Sequence, residues 1–193
     1  ISYQNTSIDA PSAGNRVFTL TQIKDSGGGT SPNVDTTTLN VASTVNVTAV
    51  NDAPTLTATA ANPTFTEGSG STQAAAVSVF SGAAASTVES GQTITGLTFT
   101  VGGLKDGVNE RIIVDGTTIT LGAGSSATTT TNSMGYTVTI ASGVATVALT
   151  KAAGITTAIA QSLVNGITYQ NTSVDDPSAG NRVFTLTQIK DSG

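Results

Sequence analysis

A nearly identical stretch of 27 residues occurs twice in this chain. Residues 1–27 read ISYQNTSIDAPSAGNRVFTLTQIKDSG, and residues 167–193 read ITYQNTSVDDPSAGNRVFTLTQIKDSG. The copies differ at three positions, Ser2 to Thr168, Ile8 to Val174 and Ala10 to Asp176. The second copy starts 167 − 1 = 166 residues after the first, a period that matches a whole domain and far exceeds a solenoid or propeller unit. The repeat therefore predicts a tandem array of domains.

The position of the two copies predicts the domain boundaries. We expect residues 1–50 to be the C-terminal part of a preceding repeat, residues 51–54 an interdomain joint, and residues 55–193 the next repeat without its last strand. That last strand corresponds to residues 35–50 of the earlier copy. A linker of four residues spans at most about 14 Å, so we do not expect one molecule to complete its own sandwich. Exchange of strands between molecules is left open.

The composition favours an all-β fold. Thr, Ser, Gly, Ala and Val dominate, whereas charged residues make up 10% and aromatic residues 4% of the chain. β-Branched residues suit strands, and turn residues recur every 8 to 12 positions, which is typical of a sandwich. We therefore predict an antiparallel β-sandwich with one short crossover helix.

Alternation of apolar and polar residues places the predicted elements along the chain. The clearest hairpin is predicted at Asp115-Gly116, because this pair suits a two-residue type I′ turn, and a second pairing is expected across Ser142-Gly143. The helix is predicted to have about nine residues, with Thr156 or Thr157 capping its start and Gly166 ending it. The strands are predicted at residues 1–7, 16–23, 35–50, 55–60, 75–80, 97–101, 111–114, 117–121, 136–140 and 144–149, with a turn over residues 9–15 and a polar loop over residues 122–135.

Charge and residue types exclude several functions. The net charge of −5 argues against a nucleic-acid partner, because phosphate binding needs an excess of Lys and Arg. No run approaches the roughly 18 apolar residues that membrane insertion requires. The chain has no His and no Cys, so a Ser or Thr nucleophile lacks its usual base and we do not expect an enzyme. An acidic, lightly charged chain suits hard cations instead.

Three short motifs carry a resemblance to a known family. They are the joint Val50-Asn51-Asp52-Ala53-Pro54, the following Phe65-Thr66-Glu67-Gly68, and the ending from Phe184 to Gly193. With these motifs, the chain resembles the cadherin-like and immunoglobulin-like repeats of giant bacterial surface adhesins, of the RTX or biofilm-associated type. The resemblance implies an Ig- or cadherin-like β-sandwich, located extracellularly on the bacterial cell surface, with neighbouring repeats of the same array as its partners.

The resemblance also implies calcium (Ca2+) at the joint between repeats. Calcium takes six to eight oxygen ligands, which turn carboxylates and carbonyls can supply. Cadherin joints carry a longer acidic run, of which only Asn51-Asp52-Ala53-Pro54 is present here, so weak sites are expected. The alternative remains that Asp and Asn cap these turns without a metal. The candidate calcium ligands are Asn51, Asp52, Glu67, Glu89, Asp175 and Asp191.

The function expected from the resemblance is structural. A spacer repeat, stiffened by calcium, holds a distal binding region away from the cell. The alternative is a ligand-binding adhesin module whose loops recognise a glycan or a host surface. Three other acids, Asp106, Glu110 and Asp115, are interpreted as solvated charges of a hairpin.

Overall fold

The computed structural model describes residues 1–7 and 11–193 and divides the chain into two compact units, Ile1–Asn51 and Asp52–Gly193. The first unit is built around one antiparallel hairpin of β1 (Gly14–Lys24) and β2 (Thr36–Val47). Its loop is tied by Asp35, whose carboxylate lies 3.0 Å from the Lys24 ammonium and whose carbonyl accepts from the Asp25 amide. The two strands therefore pair along most of their length.

The hairpin leaves large apolar side chains in water. Phe18 is 38% exposed, Leu20 48% and Val41 58%. A pair of strands has no second layer to bury such side chains, so an isolated hairpin is marginal in stability. A further sheet packed against the hairpin would bury these side chains.

The strand predicted at residues 1–7 is wrong. These residues are exposed and form no strand, although Tyr3 lies 5.6 Å from Phe18, ring centre to ring centre. The matching residues of the second copy form a strand because two neighbouring strands pair with them there. A β-prone sequence becomes a strand only where a partner is within reach. The turn predicted over residues 9–15 begins outside the described residues.

The second unit contains eleven strands and one α-helix among its described residues. They are β3 (Thr55–Ala60), β4 (Val77–Ser78), β5 (Phe80–Ser86), β6 (Ile94–Gly102), β7 (Glu110–Val114), β8 (Thr117–Thr120), β9 (Ser125–Thr128), β10 (Gly135–Ala141), β11 (Val144–Ile155), α1 (Thr157–Asn165), β12 (Thr168–Asn171) and β13 (Val183–Asp191), with a 3₁₀ turn at Gly107–Asn109.

Two antiparallel sheets form the body of this unit. The larger has the order β13-β6-β11-β10-β9, the smaller has the order β4-β12-β7-β8, and β3 and β5 form a separate pair. Core side chains come from both sheets, as Phe99 and Val147 do from the larger and Ile112 and Ile119 from the smaller. The predicted all-β sandwich with one short helix is confirmed.

Local sequence signals explain the main elements. In β6, Leu97, Phe99 and Val101 are buried while the threonines between them are half-buried, the period of two of a strand with one core face. Asp115 and Gly116 have φ of 50° and 75°, as a type I′ turn requires, and Ser142-Gly143 has the same signs. Both predicted hairpins are confirmed.

The predicted helix is also confirmed. The Thr156 hydroxyl accepts from the Ile159 amide at 3.2 Å, and the inward face buries Ala160, Leu163 and Val164. Gly166 ends the helix without adopting the left-handed conformation. Within the described residues, no helix has the length and hydropathy that crossing a membrane would take.

The polar loop predicted over residues 122–135 is partly wrong. Ser125–Thr128 form β9 and pair with β10 at one edge of the larger sheet. This strand shows no apolar alternation, because small polar side chains suffice at an edge that faces solvent. Pattern alone gave no sign of it.

Candidate functional site

Five polar side chains meet at one end of the second unit, where β6 and β12 end and β7 and β13 begin. They come from three separate stretches of chain, and most are buried. We call this cluster the clasp; its members are Asp106, Glu110, Tyr169, Asn171 and Arg182.

The centre of the clasp is an ion pair between Arg182 and Glu110. The Glu110 side chain is fully buried, and that of Arg182 is 7% exposed. Nε of Arg182 donates to Oε2 of Glu110 at 3.0 Å, and Nη2 donates to Oε1 at 3.0 Å. Two parallel bonds of this kind are the strongest arrangement available to a guanidinium and a carboxylate. The pair links the start of β13 to the start of β7.

Further donors satisfy the Glu110 carboxylate. The amides of Lys105 and Asp106 donate to Oε1 at 2.6 and 2.9 Å, and the Tyr169 hydroxyl donates to Oε2 at 3.1 Å. A carboxylate away from water is tolerated only when it is paired and hydrogen-bonded in this way. Glu110 is therefore a structural anchor for the loop that precedes β7.

Asp106 fixes the loop that leads into β13. Its carboxylate accepts from Nη2 of Arg182 at 3.1 Å, from Nδ2 of Asn171 at 2.6 Å and from the Ser178 amide at 3.0 Å. Burial raises the pKa of Asp106, but the bonds from Ser178 and Asn171 and the charge of Arg182 outweigh it, so the pKa is lowered. This stabilisation is present above the ordinary carboxyl pKa and is lost as the pH falls through the lowered value.

The same environment acts on Arg182 and Tyr169. Burial lowers the pKa of Arg182, but the hydrogen bonds and charge of Glu110 outweigh this and raise it. Burial, together with the charge of Glu110, raises the pKa of Tyr169 to about 12. The Tyr169 ring meets Phe65 and Phe184 edge-on, at centroid distances of 5.6 and 5.9 Å. Tyr169 thus joins the polar clasp to the apolar core.

An open groove of about 770 Å³ adjoins the clasp. Its lining combines polar and apolar side chains and includes Glu67 and Arg182. The apolar part comes from Phe65, Val77, Phe80, Tyr169 and Phe184. We call this cavity the groove; it runs beside the first residues of β13.

The predicted calcium ligands do not all lie together. Asp52 and Glu89 meet, since the Asp52 amide donates to Oε1 of Glu89 at 2.8 Å. Asp191 ends β13, pairs with Ile94 at the start of β6 and is 4% exposed. We call this end, defined by Asp52, Glu89 and Asp191, the entry end. Asn51 is the last residue of the first unit.

The other two candidates lie towards the clasp. Glu67 lines the groove, and Asp175 is exposed in the loop between β12 and β13. The strand β13 has nine residues, so its two ends are about 26 Å apart at roughly 3.3 Å per residue. Ca²⁺ bonds its ligands at about 2.3 to 2.6 Å, so one ion cannot hold residues from both ends. Among the described residues there is no group of three or more His, Cys, Asp or Glu placed to hold a metal.

The clasp itself was not foreseen from the sequence. The expectation that Asp106 and Glu110 are solvated is wrong, because Glu110 is fully buried, Asp106 is largely shielded from water, and both pair with Arg182. Asp115 is also engaged, since it accepts from the Thr129 hydroxyl and from the Asn132 amide. A usable signal was present: in so lightly charged a chain, acids and an arginine next to apolar strands are candidates for buried pairs.

The comparisons with known proteins found no match that could assign a role to this site. No protein-family model matches the chain, and neither a curated protein nor a solved structure matches it. The clasp has its carboxylates occupied by internal donors, so its arrangement is that of a structural fastening.

We predict that Arg182→Met lowers the free energy of unfolding of the second unit by about 3–5 kcal/mol, because it leaves Glu110 buried without its counter-charge. The measurement is urea denaturation followed by far-UV circular dichroism. The chain supplies a matched control, Arg16→Met, which changes the same residue in the first copy. There, the guanidinium donates to the carbonyls of Gly14 and Ser12 at 3.1 and 2.7 Å.

For Arg16→Met, we expect a change within about 0.5 kcal/mol, as at an ordinary surface position. Equal losses in the two variants would contradict the account, because the loss would then come from local sequence rather than from the clasp.

Proposed function

We propose that this chain is a structural spacer, or extender, repeat of a large bacterial cell-surface adhesin, located outside the cell and holding a distal binding region away from it. The observation that carries the proposal is the second copy of the repeated segment at a domain-length period. That copy is built into the two sheets as β12 and β13, which supports a folded domain as the repeating unit.

The strand directions support linkage of repeats in series. The second unit starts at Asp52, at the entry end, and β13 also ends there. In the first copy, the equivalent strand β1 is followed by the antiparallel β2. A β2-like strand after β13 would carry the chain back to the clasp end. Each repeat would then begin at one end and finish at the other, as end-to-end linkage requires.

The clasp supports a mechanical role. It fastens the loop before β13 to the loop before β7 through charged hydrogen bonds between side chains that are less than a tenth exposed. The strand β13 then pairs with β6 along nearly its full length. A spacer must keep its shape under load, and the clasp would contribute to this by fixing the start of β13.

Arrays of increasing length test the spacer role. We expect the maximum dimension of arrays with one, two and three periods, measured by small-angle X-ray scattering, to rise by a constant increment per period. Arrays that collapse on themselves, with a dimension that grows far less than the number of periods, would contradict the proposal.

The second part of the proposal is that weakly bound calcium stiffens the entry end. Asp52 and Glu89 lie next to each other there and Asp191 pairs with the start of β6. Their carboxylates would supply part of the coordination, and carbonyls and water would complete it. Modules outside the cell commonly bind calcium at about 10⁻⁴ to 10⁻³ M, so few carboxylates suffice.

We predict that 10 mM calcium raises the melting temperature relative to chelator. For these affinities, the stabilisation is about 1.4 to 2.7 kcal/mol. Asp52→Asn and Glu89→Gln should abolish the shift, whereas Glu67→Gln and Asp175→Asn, towards the other end, should retain it. No shift in the wild type would remove calcium from the proposal and leave a plain spacer.

A ligand-binding adhesin module is the second candidate, and the groove is the observation that favours it. Its mixed lining, with Glu67 and Arg182 among aromatic residues, resembles that of many ligand sites. Glycan-array binding that is lost on Phe65→Ala would favour this function over the spacer.

A further inference from the structure

The strand β13 has an open edge. It is the terminal strand of the larger sheet, and in the described part of the chain β6 is the one strand hydrogen-bonded to it. The backbone groups on the far side of an edge strand are free to pair with another strand. The groove lies along the first residues of this edge.

The chain itself shows which strand this sequence pairs with. Residues 14–24, which form β1, are identical to residues 180–190, which contain most of β13. The partner of β1 is β2, with Arg16 opposite Val45 and Leu20 opposite Val41. Moved by one period, this register places Arg182 opposite Val45 and Leu186 opposite Val41.

The same register gives β2 a core-facing side. Residues opposite each other in an antiparallel pair point to the same face of the sheet. On β13, the residues Phe184 and Leu186 pack against the core. Val41 and Val45 of an added β2 would therefore face the interior of the sandwich, and Val47, opposite Gly180, would reach the groove.

The present environment of β2 favours such a transfer. In its own hairpin, Val41 is 58% exposed and Val45 and Val47 are only half-buried. The sequence of β2, TTTLNVASTVNV, contains no charged residue and no proline, which are the features that guard an edge strand against pairing. Beside β13, the same backbone pairing would be backed by a core that the two-stranded hairpin lacks.

We propose that the open edge of β13 binds Thr36–Val47 of a second copy of this chain, antiparallel and in the register that β2 has with β1. The interaction rests on the repeat and the edge, and it holds whether or not the chain is a spacer. Because every copy carries both β2 and β13, the pairing closes into a reciprocal dimer or continues into longer assemblies.

The chain has no cysteine, so disulfide trapping between single-cysteine variants is clean. A mixture of Thr185→Cys and Ala42→Cys places the two thiols opposite each other, and Val183→Cys with Thr44→Cys is a second matched pair. The mismatched control, Thr185→Cys with Thr44→Cys, is displaced by two residues, where Cβ atoms are about 7 to 8 Å apart. Circular dichroism melts confirm that each variant folds.

We expect the matched mixtures to form disulfide-linked heterodimers several-fold more than the mismatched one under mild oxidation. The mass measured by light scattering should rise with concentration for the unmodified chain. Equal trapping in all registers, or a constant monomer mass, would overturn the proposal.

A third mixture of cysteine variants tests an alternative, in which the β1–β2 hairpin of one copy replaces β13 of another. If the β1–β2 hairpin instead displaced β13, then Thr19 of one copy would lie opposite Thr100 of another, as Thr185 does in the structure. Preferential trapping of Thr19→Cys with Thr100→Cys would therefore overturn pairing at the open edge.

Discussion

The ion pair between Arg182 and Glu110 is the interaction on which the second unit depends. A carboxylate with no exposure to water must have a counter-charge and a full set of donors, and β13 supplies the counter-charge. The strand and the end of the sandwich are thereby fixed together. Removal of either partner leaves a buried charge unpaired, so the pair stabilises the position of β13 beside β6.

The repeated segment shows how strongly tertiary context decides structure. Tyr3 and Tyr169 occupy the same place in the two copies, yet Tyr3 is 38% exposed and Tyr169 is 6% exposed in the clasp. Arg16 and Arg182 make the same short bond to the carbonyl two residues earlier, at 3.1 and 3.0 Å. The carboxylates of Asp106 and Glu110 distinguish the second copy, because they belong to the sandwich that surrounds it.

Local rules predicted the elements that short sequence windows determine. The Asp115-Gly116 turn, the capped helix after Thr156 and the alternation in β6 follow from backbone conformation, hydrogen bonding and burial within a few residues. The strand β9 and the absence of a strand at residues 1–7 depend on whether a neighbour is present, which no window contains. The clasp joins residues that are far apart in sequence, such as Asp106 and Arg182, so the sequence alone did not show that they are in contact.

The polar side chains of the second unit that the structure brings together serve to stabilise its fold. The charged residues of the clasp hold strands of the second unit in place. This arrangement suits the proposal that one folded period follows another in an array. The same segment is an integral strand in the second unit, where β6 and the clasp hold it, and half of an exposed hairpin in the first.

Amide hydrogen exchange measured by NMR tests this account most directly, because residues 17–24 and 183–190 have the same sequence and therefore the same intrinsic exchange rates. The account predicts that amides of the second segment that bond to β6 exchange only through opening of the whole sandwich, whereas those of the first exchange much faster. Equal protection of the two segments would contradict the claim that the clasp and its sheet, rather than the repeated sequence, make β13 a stable strand.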